Sequence, residues 1–209
     1  RQVKGKRSYD GLFDSEAEIQ AAIDEYKASL LKDGDKIIGE SSNITLQPQA
    51  SFVLIEQSTG YVKAISGGRG EKKANRTLNR ATNTLKQPGS TFKVITAFAP
   101  AIDTCGATLA SVYYDAPYTV GSKTFKNWWG GDYKGYHSIR DGIVYSMNII
   151  ALRCMAETVT PQLGVEYAEK LGITSLVSSD LNLSTALGGI TKGVSTLELT
   201  NAFAAIANH

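Results

Sequence analysis

The sequence predicts an α+β domain in which a β-hairpin comes first and a mostly helical stretch follows. Two observations predict it. Phe52-Val53-Leu54-Ile55 and Tyr61 to Ile65 are short, β-prone runs joined by the turn-like Gln57-Ser58-Thr59-Gly60, and Gly67-Gly68 stops the second. Beyond Ser90, apolar residues fall into helical stretches separated by Pro, Gly and capping residues. A two-stranded hairpin is marginal by itself, so the pair is expected to join a larger sheet.

The chain has 209 residues, 42% hydrophobic and 20% charged, an ordinary globular composition with enough length for a core without staples. A net charge of +2 gives no argument for nucleic acid or an anionic membrane as partner. No segment reaches the apolar length of a membrane span, and a start without Met or signal pattern reads as an excised piece. The basic start, Arg1 to Arg7, reads as a solvated terminus. Cys105 and Cys154 lack metal spacing and a C-x-x-C pattern; they read as buried free thiols, with a disulfide left open.

Residues 1–50 are expected to be a linker or small subdomain. Ile19, Ala22, Ile23, Tyr26 and Leu30 recur at helical spacing within 14–32, Ser15 with Glu18 forms a capping-box pattern, and Asp33-Gly34-Asp35 ends the helix. Short strands are expected near 36–39 and 44–47. From residue 51 the main domain begins. Pro88-Gly89 breaks the backbone before Ser90, and 91–98 reads as an apolar helix that Pro100 ends or kinks. Residues 111–138 read as a loop rich in Gly, Tyr and Trp, with room for a short hairpin. Ser138 is expected to cap a helix over 139–145, and Asn148 another over 149–158. Thr160-Pro161 opens a third that Gly172 closes, and Ser195 with Glu198 opens a last helix running to the terminal His209.

The chemistry sits in two short patterns. In Ser90-Thr91-Phe92-Lys93 a hydroxyl and an amine lie one helical turn apart, on one face. A serine hydroxyl needs a neighbouring base to become a nucleophile, and burial favours the neutral amine that can act as one. The pattern matches by chance about once in a chain this long; Ser29 with Lys32 also fits, but at the end of an amphipathic helix, where the lysine reads as a solvated charge. Ser146-Met147-Asn148 places a hydroxyl and an amide between two helices, where both can face one cleft. Ser41-Ser42-Asn43 repeats that spacing in a region without large apolar helices and reads as a turn. His137 shows no Asp or Ser partner at a telling spacing and reads as a surface or capping residue.

Gln87-Pro88-Gly89-Ser90-Thr91-Phe92-Lys93 resembles the nucleophile segment of class A, bifunctional penicillin-binding proteins, a family whose motifs are S-x-x-K, S-D-N and K-T-G. Asn79-Arg80-Ala81-Thr82, Asn127-Trp128-Trp129-Gly130-Gly131 and Gly193 to Glu198 resemble further stretches of it, so the likeness covers about 50–209. The resemblance implies the penicillin-binding-protein and serine β-lactamase fold, here incomplete: the first two sheet strands plus the helical part, in 51–209. It implies Ser90 as nucleophile, Lys93 as base, and Ser146 and Asn148 as the second motif. Trp128, Trp129 and Tyr136 are expected to line a substrate groove, with loop packing as the competing reading. The implied activity is D,D-transpeptidation of peptidoglycan stem peptides, without metal or cofactor. The implied partners are those peptides, β-lactam antibiotics and the missing C-terminal part of the same domain. The implied location is the extracytoplasmic face of the bacterial membrane, through an N-terminal anchor absent from this chain. No K-T-G occurs, and Thr191-Lys192-Gly193 has the wrong order; the piece alone is expected to be weakly active or inactive. Two alternatives stand beside this reading. One is a β-lactamase-like hydrolase using Glu198 with Asn201. The other is a non-catalytic penicillin-binding or sensor module.

Overall fold

A computed structural model describes residues 4–8, 12–72 and 75–208, so part of the basic start and His209 lie outside the described residues. The chain divides into two compact units, residues 1–45 and 46–209.

The first unit holds α1 (Glu16–Leu30). Ser15 Oγ accepts from the Glu18 N–H at 3.3 Å, while the Glu18 carboxylate takes the Asp14 N–H, so only half of the expected capping box forms. The predicted stripe Ile19, Ala22, Ile23, Tyr26 and Leu30 is half-buried, and no helix residue is fully buried. The strands expected near 36–39 and 44–47 do not form. Ile37, Ile38, Ile44 and Leu46 stay exposed, and apolar content without a pairing strand makes no ladder.

In the second unit β1 (Phe52–Glu56) pairs antiparallel with β2 (Tyr61–Ser66), Phe52 opposite Ser66 and Glu56 opposite Tyr61. Among the described residues this sheet has only these two strands, and β2 is exposed along its length. The larger sheet that the hairpin calls for is therefore not supplied by the described residues. A short α2 (Arg80–Asn83), capped by Asn79, follows.

The centre of the unit is one continuous helical run: a 3₁₀ turn (Gly89–Thr91), a π-turn (Val94–Phe98) and α3 (Ala99–Thr104). Of the two expectations for Pro100, that it ends or kinks the helix, the first is corrected: the run continues through it. The π-turn widens the backbone just ahead of the proline, with the Ala99 N–H bonding the Val94 carbonyl, so the ring is accommodated without a break. Residues 112–138 are not a bare loop: β3 (Val112–Asp115) pairs with β6 (Gly135–Ser138), enclosing a hairpin of β4 (Tyr118–Val120) and β5 (Lys123–Phe125). Then come α4 (Ile139–Val144), α5 (Asn148–Cys154) with a π-turn over Met155–Val159, α6 (Pro161–Lys170), two 3₁₀ turns, and α7 (Thr196–Asn208), which packs against β1.

The central run is buried from two sides. Ala97, Phe98 and Ala101 enter a core with Ile149, Ile150, Leu152 and Met155 of the α5 stretch. Phe92 and Ile95 enter a second core with Ala168, Ile173, Ile190, Val194 and Ala202. Each large buried side chain contributes about 1.5–3 kcal/mol, so the residues flanking Lys93 hold it in a rigid setting. Cys154 is buried, Cys105 half-buried, and both are free. Gly164 lets α6 approach closely: a Cβ there would lie 2.5 Å from the Thr96 carbonyl oxygen and 2.9 Å from the Met155 methyl. Gly164→Ala is expected to lower stability by about 1–3 kcal/mol, read as a lower midpoint in chemical denaturation; an unchanged midpoint would show that this helix contact is loose.

Candidate active site

Ser90 lies in the first turn of the central run, exposed, while Phe92 and Lys93 just beyond are buried. Gly89 enters the turn at φ +56°, a left-handed conformation that glycine adopts without steric cost. The segment before Ser90 is pinned along the 188–194 stretch. Lys86 and Val194 exchange two backbone hydrogen bonds of 2.9 and 2.8 Å. The Gln87 amide takes the Ile190 N–H at 2.9 Å and donates to the Ile190 carbonyl. Gly188 sits at φ +73°, where a Cβ would collide with the Gly89 backbone. The turn that carries Ser90 is thus fixed by backbone groups from the far half of the chain; Gln87 and Ile190 are 103 positions apart.

Lys93 is 2% exposed. Burial pushes its ammonium pKa down from 10.5 to about 8. Its Nζ donates to the Ser146 carbonyl at 2.6 Å and to Ser146 Oγ at 3.0 Å. Ser146 stands at the corner between α4 and α5 with φ +51°. A non-glycine residue held there costs on the order of 1–3 kcal/mol and persists only when its surroundings over-determine it. They do. Ser138 and Asp141 form a full capping box on α4. The Met147 N–H bonds the Gly142 carbonyl at 2.9 Å. Gly142 lets Ile150 and Phe98 close in, since a Cβ there would meet them at 2.8 and 3.0 Å.

Asn148 is half-buried in the first turn of α5 and donates Nδ2–H to the Lys126 carbonyl at 2.8 Å. It does not cap the helix, as the sequence reading expected: Met147 occupies the cap position without a side-chain bond. The Ile149 N–H bonds Asn127 Oδ1 at 3.2 Å instead.

The aromatic residues separate. Trp128 is 72% exposed and donates its indole N–H to the Tyr145 carbonyl at 3.0 Å, beside Ser146. Trp129 packs against the hydrophobic core and donates to the Asp132 carbonyl. Tyr136 lies on β6, its ring centroid 4.9 Å from that of Tyr114. The structure thus places Trp128 at the corner and Trp129 in the packing. The sequence reading of His137 is corrected: Asp141, four residues on, lies 3.3 Å from its Nδ1 and shares its carboxylate with Ser138. Glu198 completes the expected capping box on α7 with Ser195, and its other oxygen takes both the N–H and hydroxyl of Thr174. Burial would raise the Glu198 carboxyl, but these donors outweigh it and hold it below the usual range. Asn201 is engaged separately, with the Leu171 carbonyl. Ser29 bonds the Tyr26 carbonyl beside an exposed Lys32. Among the described residues no group of His, Cys, Asp and Glu could hold a metal ion.

Residues 50–209 match the model of the penicillin-binding protein transpeptidase domain. The chain belongs to that family. It is 32% identical over 208 residues to penicillin-binding protein 1A of Clostridium tetani, covering 91% of this chain and 26% of that protein. It is 30% identical over 201 residues to penicillin-binding protein 1F of Bacillus subtilis, covering 96% and 26%. The crystal structure of penicillin-binding protein 1A from Haemophilus influenzae superposes with a TM-score of 0.66 at 29% identity, covering 77% of this chain and 23% of that one. A structure of PonA1 from Mycobacterium tuberculosis in complex with penicillin V shares the fold, with a TM-score of 0.65 at 23% identity over 77% of this chain and 45% of that one. The chain spans about a quarter of the length of the curated relatives it matches. Its helices and small antiparallel sheets are an incomplete α+β transpeptidase fold.

Sequence reading missed Asp115 and the role of Asn127 in this transpeptidase domain. A signal existed: Asp115 shares the inward face of β3 with Tyr113, two residues before it, so the strand's period of two already buried a carboxyl group.

The depressed Lys93 pKa has a thermodynamic consequence. In the unfolded chain the amine keeps its proton up to about pH 10.5, whereas the folded chain releases it near pH 8, so folded stability rises with pH between those values. The burial cost is complete below pH 8. Relative to Lys93→Met, the wild type should gain about 3 kcal/mol between pH 8 and 10.5, measured by denaturant unfolding of both proteins across that range. A constant difference would show that the amine is not desolvated.

Proposed function

We propose that this domain performs serine acyl transfer on peptidoglycan stem peptides, with Ser90 as nucleophile, Lys93 as base, and Ser146 and Asn148 as partners. The observation that carries the reading is the buried Lys93 amine, bonded to Ser146, one helical turn after an exposed serine.

A neutral amine has two N–H donors and one lone pair. Both donors go to Ser146, one to its carbonyl and one to its hydroxyl, which leaves the lone pair to accept the Ser90 proton. At pH 7 a base of pKa about 8 is neutral in roughly one molecule in ten, enough for a positioned base to contribute about 10²–10⁴-fold. A helical run leaves its first N–H groups without intrahelical carbonyls, which suits the charge developing near Ser90.

Ser90 Oγ attacks the carbonyl between two terminal D-alanines. The Oγ–C bond forms, the C–N bond breaks, and the serine proton passes through Lys93 and Ser146 to the departing D-alanine amine. An amine of a neighbouring stem then attacks the ester, forms the cross-link and returns Ser90 to its hydroxyl; water in its place gives carboxypeptidase activity. A β-lactam mimics the donor and leaves an acyl group on Ser90. Asn148 gives one of its two N–H groups to the Lys126 carbonyl, and its Oδ1 is the acceptor in this reading for a substrate amide N–H. Trp128, exposed beside the corner, is the groove wall of this reading, with Tyr136 further along the same loop region; Trp129 stiffens the wall from behind. The domain works on the extracytoplasmic face of the membrane, where its polymer lies. Among the described residues no helix is long and apolar enough to cross a membrane. A glycosyltransferase partner domain is part of the same proposal, as is a domain boundary near residue 50.

The β-lactamase alternative needs a free base to activate water, and Glu198 is held by Ser195 and Thr174. The presence of the intact Ser90, Lys93, Ser146 and Asn148 set speaks against a sensor without catalysis.

In the intact protein, fluorescent penicillin is expected to label the wild type with an adduct lasting hours. Ser90→Ala should abolish labelling, and Lys93→Met should slow it about 10²–10⁴-fold. The wild-type rate should rise with pH to a plateau above about pH 8, the value set by Lys93. Labelling that survives Ser90→Ala would defeat the nucleophile assignment, and release within seconds would favour a hydrolase.

A further inference from the structure

The second-motif corner is not held by its own local bonds alone. α5 begins without a side-chain cap of its own, and Ser146 is in a left-handed conformation. Three consecutive residues of a distant loop grip it instead. The Lys126 carbonyl takes the Asn148 side chain, Asn127 Oδ1 takes the Ile149 N–H, and the Trp128 indole bonds the Tyr145 carbonyl. Asn127 is the member that is fully buried, 4% exposed, and its orientation is set from behind. Its Nδ2 donates at 2.8 Å to Oδ1 of Asp115, itself 1% exposed, and Asp115 Oδ2 accepts the Lys134 N–H at 3.0 Å. A buried carboxyl group between two donors fixes which end of the Asn127 amide faces α5: the N–H₂ end must meet the carboxylate, so the oxygen must meet the helix.

We infer that Asp115 and Asn127 are positioning residues for acyl transfer, a buried pair that caps α5 from outside and sets Ser146 against Lys93. The inference rests on the proposed Ser90 chemistry and adds to it two residues that touch neither substrate nor Lys93. Neither is needed for the hydrophobic core as such. Their bonds end on the start of α5, one residue from Asn148 and three from Ser146, so loosening them releases the corner that gives Lys93 both of its hydrogen-bond acceptors.

The pair has a property that allows a decisive test. Exchanging its members preserves all three bonds. In the double variant Asp115→Asn with Asn127→Asp, the Lys134 N–H meets the amide oxygen now at position 115. The amide N–H₂ at 115 donates to the carboxylate now at position 127. That carboxylate in turn accepts the Ile149 N–H, where the helix start favours negative charge. Either single substitution breaks the chain of donors and acceptors. Asn127→Asp faces two carboxylates across 2.8 Å, and Asp115→Asn sets an N–H₂ against either the Lys134 N–H or the Asn127 N–H₂.

The experiment measures the rate of penicilloyl-adduct formation in the intact protein for the wild type, both single variants and the exchanged double variant, with a thermal melt of each. Saturation kinetics separate the acylation step from initial binding. The single variants are expected to acylate at least about tenfold more slowly, mainly in the acylation step, and the exchanged variant to return to within about threefold of the wild type. Single variants that acylate at the wild-type rate would overturn the inference. So would an exchanged variant that melts like the wild type yet stays slow, or one that does not fold. If the singles fail to fold, the exchanged variant alone decides. A wild type that forms no adduct on Ser90 would instead refute the proposed function, an outcome distinguishable from these.

Discussion

The site depends on one contact: an amine with almost no exposed surface, bound to the carbonyl and hydroxyl of Ser146. A buried ammonium without a carboxylate partner is costly, and the protein meets that cost by lowering its proton affinity rather than by pairing it. The same desolvation that makes Lys93 hard to bury favours the neutral amine, whose lone pair the proposed mechanism uses as the base. The fold around it follows from this requirement. Lys93 must be on a helix rigid enough to resist water, and the central run achieves that by sending Phe92 and Ile95 into one core and Ala97 and Phe98 into another.

The second half of the contact is a corner rather than a helix face. Ser146 is held at positive φ, a conformation that local propensity disfavours. The molecule compensates through neighbours: a full capping box on α4, a glycine that lets α4 meet α5 and Phe98, and the Asp115–Asn127 pair behind the loop. The turn that carries Ser90 is treated likewise, through Gln87, Lys86 and the close approach of Gly188 to Gly89. Both halves are thus placed in part by hydrogen bonds from distant segments of the chain.

Much of this was legible in the residues. The strand pair, the helix caps at Ser15, Ser138, Thr160 and Ser195, and the apolar helix opening after Pro88-Gly89 rest on local chemistry, and they appear at the expected places. Local patterns failed where partners are distant. Residues 36–39 and 44–47 have β-prone content but no strand to pair with. Pro100 reads as a stop or a kink, and a π-turn just ahead of it lets the helix continue. Asn148 has the chemistry of a cap, yet Asn127, which precedes Ile149 by 22 positions, supplies the acceptor from another loop. For the site, the pairing of Lys93 with Ser146 was readable as a motif. The inward turn of Trp129 and the engagement of His137 with Asp141 required coordinates.

The proposed chemistry requires Lys93 to be an uncharged amine where acylation is fastest. The direct measurement of this is a titration of the Lys93 side chain by carbon NMR, with the lysine Cε labelled and the resonance assigned by comparison with Lys93→Met. A midpoint near pH 8 is predicted from the burial of the amine. A midpoint near the ordinary lysine value of about 10.5 would show a solvated ammonium and contradict the account.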